Sequence, residues 1–506
     1  MLFAALSASA FLAAQSPQPG AHPIPIDAGW PCHAHDAQHS GRVDIPTQNL
    51  GQILWSTPVD LQPQYSGSIL FSHYSGPLIT PRGTIVVPVK TGATGGFRLE
   101  GHRKTTGAQF WQLVTDYVQP PHNWTMPLGA ALVRSLGVVV PAAGGTVLLR
   151  MDPDATSAAV QRLCFYGLSN YLGAQAGYDA NVMISTPIAV GGNGVLYFGF
   201  DVQGATPLNL ESGLARYDTR TGAGTWVAAH TAASDPAIQK PSYNCAPALS
   251  ADGTSLYVTV SDQAGYGFSH GYLLKLDSTT LALQARVRLL DSWSGLDAWL
   301  ADDGTATPAI GPDGDVYMGV IENPFPLNND RGWMLHYDAN LSQVKLPGAF
   351  GWDNTASMLP SSCVASYNGS SPYLVLTKYN NYAGIGSGNG LNKVAVLDPA
   401  TAMIDPISGV SVMAEVITVL SPTPDPGHPG GFKEWCINSV AVDTVRRCAM
   451  VNNEDGKLYR WDFATNTLSQ TITLTAGLFE AYTPTAIGPD GVVYAINDAT
   501  LFAVGN

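Results

Sequence analysis

The hydrophobic pattern of the chain is one of short apolar runs, five to seven residues long, closed off by Gly, Pro and Asp-Gly turns. The clearest instance is Thr483-Pro-Thr-Ala-Ile-Gly-Pro-Asp-Gly-Val-Val-Tyr-Ala-Ile496, which reads as a strand, an Asp490-Gly491 turn and a second strand. The same phrase occurs as Thr307-Pro-Ala-Ile-Gly-Pro-Asp-Gly-Asp-Val-Tyr-Met318, and more loosely as Thr186–Tyr197 and Ala246–Tyr257. Pro187, Pro247 and Pro308 are spaced 60 and 61 residues apart, and Pro484 follows after three more intervals of similar length. Counting outward from these prolines places eight units, starting near 77, 127, 187, 247, 308, 365, 438 and 484. Two of them, around Cys363-Val-Ala-Ser and Cys436-Ile-Asn-Ser-Val, are degenerate, so a count of seven stays open.

Each unit continues into a third strand that ends in aspartate, as in Gly213-Leu-Ala-Arg-Tyr-Asp218, Gly271–Asp277, Gly332–Asp338 and Gly456–Asp462, and then into a fourth. Four strands per repeat of about 58 residues is the blade of a β-propeller. Second strands such as Val492-Val-Tyr494 are apolar on consecutive residues, as sheets packed between two neighbours require. The last unit provides only three strands. Gly51-Gln-Ile-Leu-Trp-Ser-Thr-Pro-Val59 is a strand with no partner nearby in sequence, and it is expected to complete that last blade and remove its open edge. The expected fold is therefore all-β, an eight-bladed propeller over residues 51–506, preceded by an extended lead over 15–50.

Composition narrows the function classes. Hydrophobic residues make up 45% of the 506, charged residues only 12%, and the net charge is −14, so nucleic acid is not an expected partner. Met1–Ala14 is apolar with small residues near its end, the pattern of an export segment cleaved after Ala10 or Ala14. No later run reaches the roughly 20 apolar residues that span a membrane. Few lysines and six cysteines fit a periplasmic or secreted protein, expected as a monomer.

Thr106-Gly-Ala-Gln-Phe-Trp111 and Thr221-Gly-Ala-Gly-Thr-Trp226 place Thr-Gly and Trp at the turn into the fourth strand. This resembles the tryptophan-docking repeat of the pyrroloquinoline-quinone (PQQ)-like propeller superfamily, in which the Gly makes the turn and the Trp wedges between blades. Trp30-Pro-Cys-His-Ala-His-Asp-Ala-Gln-His-Ser-Gly-Arg42 is similar to the segment that opens many exported propellers, which favours a structural role for His33, His35 and His39 over metal binding. The superfamily includes quinoprotein dehydrogenases that use PQQ with Ca²⁺, and also non-enzymatic scaffolds. The alcohol-oxidising members carry a disulfide between adjacent cysteines, and neither Cys-Cys nor Cys-x-x-Cys-His occurs here.

If ligands bind at the channel mouth, the residues that open the inner strands and those that end the second strands are the ones to line it. The first set offers His73, His122, Tyr243, Glu434, Trp435, Glu480 and Tyr482, with Asn123, Trp124 and Asp303 beside them. The second offers Lys90, Asp201, Asp262, Glu322, Lys378, Glu454 and Asn497, polar in seven of eight units, with Tyr379 adjacent. Carboxylates there can bind a cation or do acid–base work, or simply be the solvated tips of hairpins. Cys245, Cys363 and Cys436 fall at one repeat position, where three thiols can ligate a soft metal or fill tight space near the axis; a Cys436–Cys448 bridge is also open. Aromatic residues beside amides and carboxylates in Lys378–Tyr382, Glu434–Ser439 and Asn452–Gly456 suit a small polar or carbohydrate-like ligand. Three functions follow from this reading: a channel-mouth binding protein for a small molecule, carbohydrate or protein; an oxidoreductase, hydrolase or lyase; or a protein-interaction scaffold.

Overall fold

The computed structural model describes residues 29–67, 69–475 and 484–506. The export segment at 1–14 and the expected site residues Glu480 and Tyr482 lie outside them. Eight antiparallel sheets form the ring: blade 1 (78–115), blade 2 (131–163), blade 3 (182–228), blade 4 (240–288), blade 5 (309–337), blade 6 (357–420), blade 7 (441–473) and blade 8 (486–505 with 52–58). The seven-blade count is thereby set aside.

Burial tracks the position of each strand within its blade. Second strands such as Thr84–Lys90, Ser255–Ser261 and Tyr373–Tyr379 are buried at every residue, because both faces of the sheet lie against neighbouring blades. The outermost strand Thr467–Thr473 instead alternates exposed and half-buried residues. Blade 5 is the thinnest, its fourth strand reduced to the bridges Met334–Gly348 and Tyr337–Val344.

Gln52–Pro58 pairs antiparallel with Thr500–Gly505, from Gln52 opposite Gly505 to Pro58 opposite Thr500, so the two ends of the chain close the ring as expected. Trp111 wedges against blade 2, its indole N–H donating to the Pro153 carbonyl at 2.8 Å and its face lying 4.1 Å from the Arg150 guanidinium. Trp55 does the same at the seam between the two ends. It donates to the Lys104 carbonyl at 2.8 Å and packs on Gly107, whose φ is +66° and whose absent Cβ would stand 2.6 Å from the indole.

Two repeat positions differ from the expected ones. The inner strand of blade 6 is Ser357–Pro360, not the stretch near 365, and that of blade 7 is Ala441–Asp443 rather than one starting at 438. Ala356 stands where other units carry the proline.

The stretch from Trp30 to Gln48 is no loose lead. It circles one end of the channel and offers its carbonyls to successive inner strands. Pro31 accepts from Leu132 N–H at 2.7 Å, Ala37 from Leu249 at 2.7 Å, Gln38 from Ile310 at 2.8 Å, Ser40 from Met358 at 2.8 Å and Gly41 from Val442 at 2.8 Å. Trp30 exchanges two backbone hydrogen bonds with Ile79, and Gln48 N–H closes on Gly491 O at 2.8 Å. Inner-strand N–H groups that would face an empty axis are thereby satisfied, and that end of the channel is stoppered. The opposite end, where inner strands begin and second strands finish, is the mouth.

Candidate functional site at the channel mouth

On the side of blades 1, 2 and 4, the buried His73 imidazole stacks on Trp124 with 5.2 Å between ring centres and 24° between planes, and Phe71 packs tilted against Trp124 at 5.0 Å. Burial pushes the His73 pKa down; Asp353 and Asp303 oppose this and Lys378 adds to it, which places all three charges within reach of the ring. Asp303 accepts from the Trp124 backbone N–H at 3.1 Å and from the Tyr266 hydroxyl. A wall of aromatic faces edged by a carboxylate results.

On the side of blades 5 to 7 the chemistry is acidic. Glu322 accepts from the backbone N–H groups of Asp330 at 2.6 Å and Gly332 at 2.7 Å, and burial raises its pKa. Asp330, in a left-handed backbone conformation (φ +58°), has its carboxyl pushed up to about 7, by burial first and then by the charge of Glu322, with Lys378 opposing and Asp353 reinforcing. Burial, followed by the nearby Glu434, Asp330 and Cys436, drives the Tyr382 hydroxyl well above its usual range. Asp353 is buried and accepts from both the N–H (2.8 Å) and the hydroxyl of Thr305.

Glu434, Cys436 and Glu454 bring one ligand atom each to within 4.8 Å of one another. The Cys436 thiol donates to Glu454 Oε1 at 3.5 Å, and burial raises the Glu454 pKa, Lys433 opposing. Two carboxylates and a thiol are a donor set for a borderline metal such as zinc rather than for calcium.

The structure thus brings His73, Glu322, Lys378, Glu434 and Glu454 to one mouth, and His122 to its rim beside Asn123. It takes others away. Tyr243 is buried in a network, donating to Asp201 Oδ2 at 2.8 Å with the Lys240 ammonium 3.3 Å over its ring. Lys240 in turn pairs with Asp302 at 2.6 Å. Lys90 is taken up by Asp60 at 2.9 Å. Asp262 accepts from His270 N–H at 2.9 Å and faces Arg288 at the outer hairpin. Tyr379 and Trp435 are buried between blades, packed on Phe350 and Tyr459 respectively. The three cysteines do not converge. Cys245 accepts from the Thr259 hydroxyl at 2.8 Å, Cys436 meets Glu454, and Cys363 lies in the turn beyond its inner strand, 3.8 Å from the Thr444 carbonyl. All six cysteines are buried and none forms a disulfide, so the Cys436–Cys448 bridge is absent. Sequence reasoning missed Asp330, Asp353 and Tyr266. A match of Thr355-Ala-Ser-Met358 to Thr307-Pro-Ala-Ile310 would have pointed to Asp353.

Among solved structures, the quinohemoprotein alcohol dehydrogenase of Comamonas testosteroni superposes with a TM-score of 0.54 at 12% identity, over 95% of this chain and 81% of that one. The two share the eight-bladed propeller fold. Likenesses are also found to a europium-containing methanol dehydrogenase (TM-score 0.47, 10% identity, 93% of this chain and 89% of that one) and to BamB of Moraxella catarrhalis (0.42, 13%, 90% and 97%). No protein-family model matches the sequence, and no curated protein does.

The mouth of this propeller does not suit PQQ. That cofactor is a tricarboxylate, and here it would meet Asp303, Asp330, Asp353, Glu322, Glu434 and Glu454. Lys378 lies over Phe350, while Arg331 is held bidentate by Asp405 at 2.8 and 3.1 Å. The sequence holds no adjacent cysteine pair either.

Proposed function

We propose that this quinoprotein-type propeller is an exported binding protein that takes a small, hydroxyl-rich ligand, carbohydrate-like in its chemistry, at the channel mouth. The observation that carries this reading is the stacked His73–Trp124 face set among Asp303, Asp353, Asp330 and Lys378. A flat aromatic face packs on the C–H surface of a sugar or polyol ring, while the carboxylates around it accept from the hydroxyls and the Lys378 ammonium donates to them. Calorimetry and thermal shift with a panel of sugars and polyols test it. A Trp124→Ala variant should weaken the best binder about tenfold, by analogy with buried aromatic anchors. If no panel member binds the wild type, the reading is wrong. The export part predicts a mature chain beginning at Phe11 or Gln15; a secreted or periplasmic product that still starts at Met1 would contradict it.

One observation favours a second reading, a protein partner. Leu290, Trp293, Leu296, Phe325 and Leu327 are all exposed, on two segments joined by the Ser294 hydroxyl to the Asn323 carbonyl and by Asn323 Nδ2 to the Asp297 carbonyl at 2.7 Å. Such a patch is the signature of a docking face. A Trp293→Ser/Phe325→Ser double variant that keeps ligand binding but loses a co-purifying protein would support this second role.

A further inference from the structure

Of the nine lysines in the chain, eight give their ammonium to an oxygen acceptor. Lys378 is the exception. It is 2% exposed, and among the described residues its ammonium has neither a hydrogen bond nor a carboxylate partner. It lies over the Phe350 ring, 5.6 Å from the ring centre, and a π face supplies no lone pair for its three N–H bonds. Lys90, near the end of the second strand of blade 1 as Lys378 is in blade 6, is equally buried but saturated. It pairs with Asp60 at 2.9 Å and donates to the carbonyls of Gln62 at 2.9 Å, Gly92 at 2.8 Å and Ala93 at 3.1 Å. Lys240, the third buried lysine, pairs with Asp302 at 2.6 Å. The fold saturates two and leaves the third bare at the mouth, where an oxygen of a ligand can complete it.

The charge of Lys378 reaches both His73 and Asp330. The segment around Asp330 is clamped on either side. Asn328 Nδ2 donates to the Gly332 carbonyl at 2.9 Å, Asn329 Nδ2 to Asn381 Oδ1 at 2.9 Å, and Arg331 is held by Asp405. The Asp330 carboxyl itself accepts no hydrogen bond among the described residues. Its pKa of about 7 leaves it partly protonated at neutral pH, so it can donate as well as accept. Glu322, Asp353 and Tyr382 also face it. Glu322 is engaged by the N–H groups of Asp330 and Gly332, and Asp353 Oδ1 by Thr305.

We propose that the hydroxyl-rich ligand of the mouth is a sugar acid, its single carboxylate held between the Lys378 ammonium and the Asp330 carboxyl while its ring lies on the His73–Trp124 face. This rests on the reading of the mouth as a sugar or polyol site and narrows it to one class. A carboxylate completes Lys378 better than a hydroxyl does, since hydrogen bonds between charged groups are about twice as strong as neutral ones. One negative charge is also the limit. A second would meet only carboxylates such as Asp303, Glu434 and Glu454, the same obstacle that turns PQQ away.

The test is calorimetry on the full-length protein at about pH 6, pairing galacturonate with galactose and glucuronate with glucose. The acid of a pair should bind roughly tenfold tighter than its neutral partner. Lys378→Met removes the ammonium at similar length and should bring the two to parity or reverse their order. Its melting temperature without ligand should not fall, because an unpaired buried charge has been taken away. Lys90→Met, which leaves Asp60 buried and alone, should melt lower and keep the acid preference. Between about pH 6 and about pH 8 that preference should shrink in the wild type as Asp330 ionises, and stay level in Asp330→Asn. Neutral sugars that bind as tightly as their acids would overturn the inference and leave the reading of the mouth standing, whereas no binding by either member of any pair would remove both. An acid preference that survives Lys378→Met would put the carboxylate elsewhere and overturn the inference as well.

Discussion

At the stoppered end of the channel, Asp36 accepts from the backbone N–H groups of Gln38 at 3.0 Å and Ser40 at 2.9 Å, from the Ser40 hydroxyl, and from the His35 ring at 3.3 Å. At the mouth, Asp330 is crowded by Glu322 and Asp353. Burial alone would raise both carboxyls, yet the contacts of Asp36 bring it down to about 2 while Asp330 rises to about 7. One aspartate is an ordered anion that organises a turn; the other is kept near neutrality beside a concave surface. Stability is built at one end of the axis and yielded at the other, the usual division between scaffold and site.

The contrast can be broken most severely through the backbone of the stopper. Gly41 has φ +65°, and a Cβ there would lie 2.4 Å from Ser357 Oγ and 2.8 Å from the Val440 carbonyl. Gly41→Val should cost about 3–5 kcal/mol in denaturant unfolding, since strain and overlap combine at a buried point. Next in size is the mouth. Because the Asp330 pKa is raised, the folded state holds its proton longer than the unfolded chain, and stability falls as pH climbs from about 4 to about 7, then levels. Asp330→Asn should remove that slope and raise stability by roughly 1–2 kcal/mol at pH 8, with little change at pH 4. The smallest effect is expected at Asp36, whose side chain is 30% exposed and therefore screened. Its depressed pKa contributes stability above about pH 4 that disappears as pH falls through about 2, so Asp36→Asn should cost on the order of 1 kcal/mol at pH 7 and nothing at pH 2. Equal slopes of stability against pH in the two variants would erase the distinction between the ends.

The ring and its closure were legible because each depends on local chemistry repeated many times: Asp-Gly turns, apolar second strands, and an orphan strand at 51–59 that needs a partner. The site was legible only where that repeat held. In blade 6, Ala356 replaces the marker proline, and the displaced frame hid Asp353 while lending Cys363 a place on the axis that it does not occupy. A shift of one residue along a strand turns its side chains to the other face, which is why Tyr379 is buried between blades although Lys378 beside it reaches the mouth. Asp330 was hidden for a different reason. It lies beyond the Asn323-Pro-Phe-Pro326 insertion, where no repeat spacing applies.

The pairing of Gln52–Pro58 with Thr500–Gly505 also fixes an order of events during translation. The ribosome makes residues 52–58 early, yet their strand partners at 500–505 emerge only after seven blades have been made. Until residues 500–505 are made, the nascent chain carries the strand Gln52–Pro58, with Trp55 at its centre, without its strand partner, the kind of exposed edge that holding chaperones cover. Emergence of residues 500–505 is what allows the ring to be sealed.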